Sequence, residues 1–258
     1  MLILGGVVAV LFLLPAFAER VEGQVLSNPV CADSVVDIDG HQYRGIQIGD
    51  QCWLDSNLKV LRYRDGTPIS GALFFDLTGH GGLYRFTHVT HPSGICPSGW
   101  KVPSDAEFMQ LEIAVGMSAG QAQASGWRGE QGDSRVLKIY DTAYRWTDLE
   151  RSRVNASGFS FTPSGAGFNG RISGENRFGD LWTSTEHSAE LAWYRSVFWI
   201  SVTSPFRGDV HKVRRDPVAK EWAFSVRCVK SAPVTSFSDG NSPVWVKRFQ
   251  TQEGINYG

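Results

Sequence analysis

The stretch ICPSGWKVPSDAEF, residues 95–108, carries the clearest structural signal in the chain. Ser104 and Glu107 form a capping box: the serine hydroxyl accepts from the N–H at the third helical position, and the glutamate reaches back. Pro103 fixes the approach of the chain. Phe108, Leu111 and Val115 then recur at helical spacing, and Gly116 supplies a stop. This spacing predicts a helix from about 105 to 115, with a weaker one over about 118–124.

Outward from that helix, the chain reads as short apolar segments punctuated by Gly, Asn and Ser. Upstream, Val35-Val36-Asp37-Ile38 leads into Asp39-Gly40, and Tyr43 to Ile48 returns, which is a strong hairpin signal. Downstream, Ser196 to Val202 and Ala223 to Val229 read as strands, with Val210 to Val213 a weaker candidate. With 28 Gly, 9 Trp and 3 Met in 258 residues, the composition suits a turn-rich fold with aromatic anchors rather than a helical bundle. Hydrophobic residues make up 42%, which excludes wholesale disorder. Lys and Arg number 25 against 26 Asp and Glu, so the basic excess of a dedicated nucleic-acid binder is missing.

Residues 1–18, MLILGGVVAVLFLLPAFA, carry no charge and end in Ala16-Phe17-Ala18, an A-x-A cleavage pattern. A signal peptide cut after Ala18 is expected, with an uncleaved N-terminal anchor as the competing reading. Either places the rest in a secreted or cell-surface location, with membrane contact only if the segment is retained. Residues 19–30 read as a linker, 31–230 as one module and 231–258 as an extended tail. Cys31, Cys52, Cys96 and Cys228 are an even set in an exported chain, so disulfides are expected. Three pairings exist. A hairpin brings its outer ends together, which favours Cys31–Cys52 and leaves Cys96–Cys228.

The ordered motifs resemble a known family. They run from Val36-Asp37-Ile38-Asp39-Gly40 to Ile48-Gly49-Asp50-Gln51-Cys52-Trp53, then Cys96-Pro97-Ser98-Gly99-Trp100 and the capping box. Gly126-Trp127-Arg128-Gly129, Trp182-Thr183-Ser184-Thr185 and Ser225-Val226-Arg227-Cys228-Val229-Lys230 follow. Together they are similar to the Fibrobacter succinogenes major paralogous domain, a bacterial secreted module. The resemblance covers about 200 residues; 186–222 matches poorly and the tail after Lys230 is extra. It implies a single α+β, C-type-lectin-like module related to formylglycine-generating enzymes, with small twisted antiparallel sheets, one or two helices and long Gly-rich loops. It also supports a Cys96–Cys228 bridge. It assigns no chemistry, so function rests on the residues.

Catalytic signatures are poor: no nucleophile elbow is present, and two bridges leave no thiol. No catalytic residue and no cofactor is assigned, and a hydrolase stays the lowest alternative. Gly165 to Gly170 spells G-x-G-x-x-G, but Arg171-Ile172-Ser173-Gly174 does not start a helix, so a surface loop is expected. Asp37 and Asp39 fit a hairpin turn rather than a calcium loop. Glu175, Asn176, Asp180 and Glu186 keep calcium open as a ligand without singling out a site. His80, His88 and His91 read as exposed loop histidines, since Val89 and Thr90 disfavour a helix, and no metal site is assigned. Asn155-Ala156-Ser157 is a glycosylation sequon.

The stretch 193–222 is the candidate binding surface. Trp193, Tyr194, Arg195, Trp199, Arg207, Asp209, Arg214 and Trp222 combine aromatic faces with guanidinium groups, the residue types of binding hot spots. The competing reading is core packing for the aromatics and a solvated hairpin face for the charges. The leading expectation is a non-enzymatic recognition and adhesion module for a glycan or a surface protein. A structural subunit of a surface filament is the alternative, with Val244-Trp245-Val246 in the tail as a strand for β-addition.

Overall fold

The structure, a computed structural model, describes residues 30–74, 80–129, 155–198 and 212–231. The leader, nearly all of the linker, and the tail after Ser231 lie outside the described residues, as do Trp199, Arg207 and Asp209. The strands are β1 (Val30–Val36), β2 (Gln42–Ile48), β3 (Gln51–Leu54), β4 (Leu73–Phe74), β5 (Gly82–Arg85), β6 (Gly126–Arg128) and β7 (Ala166–Phe168). After these come β8 (Arg171–Ser173), β9 (Phe178–Glu186), β10 (Leu191–Phe198), β11 (Val213–Ala219), β12 (Ala223–Phe224) and β13 (Val229–Ser231). Helices α1 (Phe86–Val89), α2 (Asp105–Ala114) and α3 (Ala119–Gln123) lie between β5 and β6. The strands form three sheets, ordered β1-β2-β3-β13, β6-β11-β10-β9 and β4-β5-β12-β7-β8. The expected α+β class with small antiparallel sheets is the observed one. Among the described residues no helix is long and apolar enough to cross a membrane.

The first sheet begins with the hairpin the sequence announces. Asp37 locks its turn: the carboxylate accepts from the Asp39 and His41 backbone N–H groups at 3.0 and 2.9 Å and from the Tyr43 hydroxyl at 2.8 Å. Gly40 takes φ +86°, a conformation that glycine adopts without strain. Cys31 and Cys52 are bridged. They sit on β1 and β3, the two neighbours of β2, and Gly45 of β2 lies beneath the bridge. A Cβ on Gly45 would meet the Cys52 sulfur and the Ala32 Cβ, each at 2.9 Å. Gly45→Val is therefore expected to cost the oxidised protein about 1–3 kcal/mol, the usual range for overpacking. A shift of the urea midpoint measures it, and an unchanged midpoint would show that the bridge does not need the bare backbone.

Helix α2 forms as read. The Ser104 hydroxyl accepts from Glu107 N at 3.2 Å, and the Glu107 carboxylate accepts from Ser104 N at 2.9 Å. Helix α3 covers most of the second predicted segment. The buried face of α2 is not purely apolar, however. Asp105, Glu107 and Glu112 are buried beside Phe108 and Leu111; Glu107 pairs locally with Ser104 and Lys101, whereas the partners of Asp105 and Glu112 come from the sheet. Arg195 on β10 donates to Glu112 and Asp105, each at 2.7 Å. Arg215 on β11 donates to both oxygens of Asp105, and Arg128 on β6 makes a two-pronged contact with Glu112 at 2.8 Å on each oxygen. Burial opposes the charge on Asp105, but Arg215 and Arg195 more than offset it and hold its carboxyl below the ordinary range.

Two apolar clusters flank the β6-β11-β10-β9 sheet. One gathers Tyr84, Phe86, Trp182, Ala192, Tyr194 and Phe224. The other gathers Trp53, Phe108, Leu111, Phe159, Leu181 and Val197. Ala192 and Tyr194 fall in the first and Val197 in the second, as alternation along β10 requires.

Several local expectations are corrected. The strand read as Ser196 to Val202 begins earlier, at Leu191, and the one read as Val210 to Val213 runs on from Val213 to Ala219. Ala223 to Val229 is two strands rather than one. The chain leaves β12, bridges Leu181 through Ser225 and crosses to the first sheet as β13. Arg227 stabilises that crossing: it is fully buried and donates to Asn57 Oδ1 and to the carbonyls of Leu54, Phe159 and Ser160. Burial pulls its pKa down to about 9.

The Gly165–Gly170 stretch is a hairpin rather than a loop. β7 and β8 flank Asn169-Gly170, both at positive φ, and a Cβ on Gly165 would meet the Ser173 carbonyl at 2.5 Å. Turn geometry and close packing thus account for these glycines without a phosphate. His88 lies in the one-turn helix α1, is buried, and accepts from Arg85 N through Nδ1; His91 stacks on Tyr63 at 3.8 Å. Burial of Phe86, His88 and Val89 overrides the β-branched neighbours. The Asn155 side chain closes a loop onto Ser160 through both its oxygen and its nitrogen.

Candidate functional site

Both expected disulfides are present, Cys31–Cys52 and Cys96–Cys228. The residues singled out for binding divide between the two faces of the sheet. Trp193 and Arg195 project towards α2. Arg195 is 1% exposed inside the ion network, so its display on a binding surface is corrected: two acids on α2 draw it into the core. Trp193 is half-buried, with the Arg215 guanidinium 3.9 Å from its ring centroid and the His187 ring edge-on at 5.0 Å. Tyr194 points to the opposite face and is 7% exposed. It serves as floor rather than as a displayed ring. Burial raises its pKa, and Asp180 adds to the shift.

On that opposite face a run of rings leads from the core to solvent. Tyr194 stacks on Phe224 at 5.1 Å, Phe224 on Trp222 at 6.1 Å, and Trp222 packs on Phe168 at 4.8 Å. The first two interplanar angles are 27° and 25°, so these rings lie nearly parallel. Trp222 is half-buried, and Phe168, beside the Asn169-Gly170 turn, is 42% exposed. The register of β12 on β7, with Ala223 opposite Gly167, is what puts Trp222 beside Phe168.

Along β11 the same face carries Arg214, Asp216 and Val218. Arg214 Nε donates to Asp216 Oδ2 at 2.6 Å, and Asp216 Oδ1 accepts from Gly126 N at 3.0 Å. The Arg214 guanidinium lies 5.7 Å from the centroid of the Trp127 ring, which packs on Phe198 at 4.4 Å. Phe178 joins this end at 6.2 Å from Phe198. Tyr194 is the cross-strand partner of Asp216, so the Arg214–Asp216 pair shares its face of the sheet. The result is a strip of two ring groups, one at Trp127 and one running from buried Tyr194 to exposed Phe168, with one cation and one anion on the same face.

Asp180 lies behind the strip. Ser196 on β10 is its cross-strand partner, and Arg214 is the next partner across from Ser196. Burial pushes the Asp180 pKa up to about 7, against the Ser196 hydrogen bond and the positive charge of Arg214. It does not meet Glu175, Asn176 and Glu186 in a ligand cage; among the described residues no three His, Cys, Asp or Glu side chains converge as metal ligands.

Of the eight binding candidates, the structure brings Tyr194, Arg214 and Trp222 to one surface, while Trp193 and Arg195 face the other way. Phe198 and Asp216 lie inside the 193–222 stretch, whereas sequence reading missed Trp127, Phe168 and Phe178, which lie outside it. The legible signal was the Asn169-Gly170 turn, which sets Phe168 at a hairpin tip. A family model described as the Fibrobacter succinogenes major domain matches residues 46–230. Neither the curated proteins nor the solved structures yield a match.

Proposed function

This chain belongs to the Fibrobacter succinogenes major domain family, and on that premise we propose that it is an exported, non-enzymatic recognition module that binds a glycan through its aromatic strip. One observation carries the reading: the aromatic stack of the core continues outward through Trp222 to an exposed Phe168. A ring left 42% exposed at a hairpin tip gains little for folding, whereas its flat face suits the C–H face of a sugar ring. Arg214 and Asp216 set a donor and an acceptor side by side, the complement of neighbouring hydroxyl groups. Two disulfides support an oxidising compartment outside the cytoplasm. The reading needs no calcium and no cofactor. A surface protein docking on the same rings is the alternative occupant.

Phe168→Ala and Trp222→Ala are expected to weaken glycan binding about tenfold each, while a change at Trp193, on the other face, leaves it unaltered. The oxidised chain screened on a glycan array, with calcium and with chelator, is the measurement. Chelator-resistant hits that both alanine variants lose support the strip. Hits that survive both variants would move the site elsewhere, and an empty array would overturn glycan recognition.

Assembly into a surface filament is the second reading. Its motive is β1, at one edge of the first sheet, with Val30 and Val36 exposed. Two register shifts interrupt the pairing of β1 with β2, and such irregularities blunt an edge against strand addition. Recognition is therefore the stronger reading.

A further inference from the structure

We propose that the Trp127 end of the strip is a subsite for an acidic sugar, with Arg214 gripping the sugar carboxylate. The inference rests on glycan recognition at the strip and adds the class of sugar. Arg214 is not a loose surface cation. Its Nε is held by Asp216, Asp216 is itself anchored on Gly126 N, and the guanidinium plane lies by the Trp127 ring. This fixes the orientation of the fork. Among the described residues neither terminal amino group of Arg214 has a hydrogen-bond partner, and the side chain is 41% exposed. Two parallel N–H donors of fixed direction match the two oxygens of a carboxylate, which a lysine ammonium does not. The neighbouring Trp127 and Phe198 rings supply the apolar wall for the rest of the sugar.

The charge balance agrees. The groups facing Arg214 are Asp216 on its own strand, Tyr194 on β10 and Asp180 on β9. Tyr194 is neutral throughout the physiological range, because burial raises its pKa. Arg214 and Asp216 balance each other as long as Asp180 holds its proton, so below about pH 7 no net negative charge among these three groups opposes an incoming carboxylate. Above that pH Asp180 ionises, a second anion appears behind Arg214, and the balance of the three turns negative. The preference for an acidic sugar is therefore expected to be strong in mildly acidic solution and to shrink as pH rises through neutrality.

The test titrates the oxidised chain with a hexuronic-acid oligosaccharide, its methyl ester and the corresponding neutral hexose oligosaccharide, at about pH 6 and about pH 8. A short peptide with a free carboxylate separates the sugar from the carboxylate alone. The acid form is expected to bind at least about tenfold tighter than its ester at the lower pH, the minimum for a charge-assisted pair. Arg214→Met is expected to bring acid and ester to the same, weaker affinity and Arg214→Lys to keep only part of the preference, whereas Phe168→Ala, at the other end, is expected to weaken both and keep their ratio, a pattern that general unfolding would not give. Asp180→Asn, which keeps the uncharged form at every pH, is expected to preserve the preference at the higher pH. Equal binding of acid, ester and neutral sugar, or a preference that survives Arg214→Met, would overturn the acidic subsite and leave glycan recognition standing. Binding of the peptide but not the sugars would overturn both, as would binding of none.

Discussion

Glu112→Gln is expected to destabilise the oxidised protein by about 3–5 kcal/mol, the cost of breaking a buried ion pair by removing one partner. Glu112 is 1% exposed and neutralises two guanidinium groups, those of Arg128 and Arg195. The network holds three arginines and only two carboxylates, so losing one acid leaves three buried cations facing Asp105 alone. The urea midpoint measures the effect. A compensated variant separates charge from packing: Glu112→Leu combined with Arg128→Met removes one acid and one base together. It is expected to cost less than Glu112→Leu alone, because replacing both partners with apolar groups of similar size is often neutral. Arg128 makes this more favourable, since its Nε is buried without a hydrogen-bond partner. Equal losses in the single and double variants would mean that the network acts through shape and not through charge.

Removing the Cys96–Cys228 bridge is expected to cost about 4–5 kcal/mol, more than removing Cys31–Cys52, at about 3 kcal/mol. The first closes a sequence separation of 132 residues and the second one of 21. Loop-closure entropy grows with the logarithm of length, so the difference is modest but has a definite sign. Both sulfurs of the longer bridge are buried, and Cys228 follows Arg227 in the segment that crosses between sheets. Denaturation of Cys96→Ala/Cys228→Ala beside Cys31→Ala/Cys52→Ala checks the order. A larger loss for the short bridge would show that the strand-spanning geometry at Gly45 outweighs chain entropy.

The features that sequence reading found are local or nearly so. The capping box of α2 needs only Ser104 and Glu107 three residues apart, and the Asp39-Gly40 turn needs only a residue free to adopt positive φ. The Cys31–Cys52 bridge crosses over Gly45 of β2, so it needs the return of the chain in β3 as well as the hairpin. The glycine hairpin at 165–173 was misread because the same letters serve a phosphate loop, a surface loop and a two-residue β-turn. What separates them is the strand pairing of Ala166 with Ser173, which is not a local property. His88 was misread because helix propensity is weak next to the burial of Phe86 and Val89.

The binding surface divides in the same way. Composition pointed to the aromatic and arginine residues between 193 and 222, and three of them do share a surface. Alternation along β10 shows that Tyr194 and Arg195 face opposite ways, but it does not say which face the rest of the chain will cover. That depends on partners remote in sequence. Asp105 and Glu112 lie 90 and 83 residues from Arg195, and their charge takes its side chain into the core. Phe168 comes from a hairpin more than fifty residues before Trp222, and only the pairing of β7 with β12 lays the two rings together. The sequence alone therefore determined the family, the α2 helix, the first hairpin and the cysteine pairing, because each is written in neighbouring residues or in an ordered set of motifs. Which rings and which guanidinium meet solvent was decided by the tertiary structure, because exposure is set by the elements that pack on a face and not by the residue that occupies it.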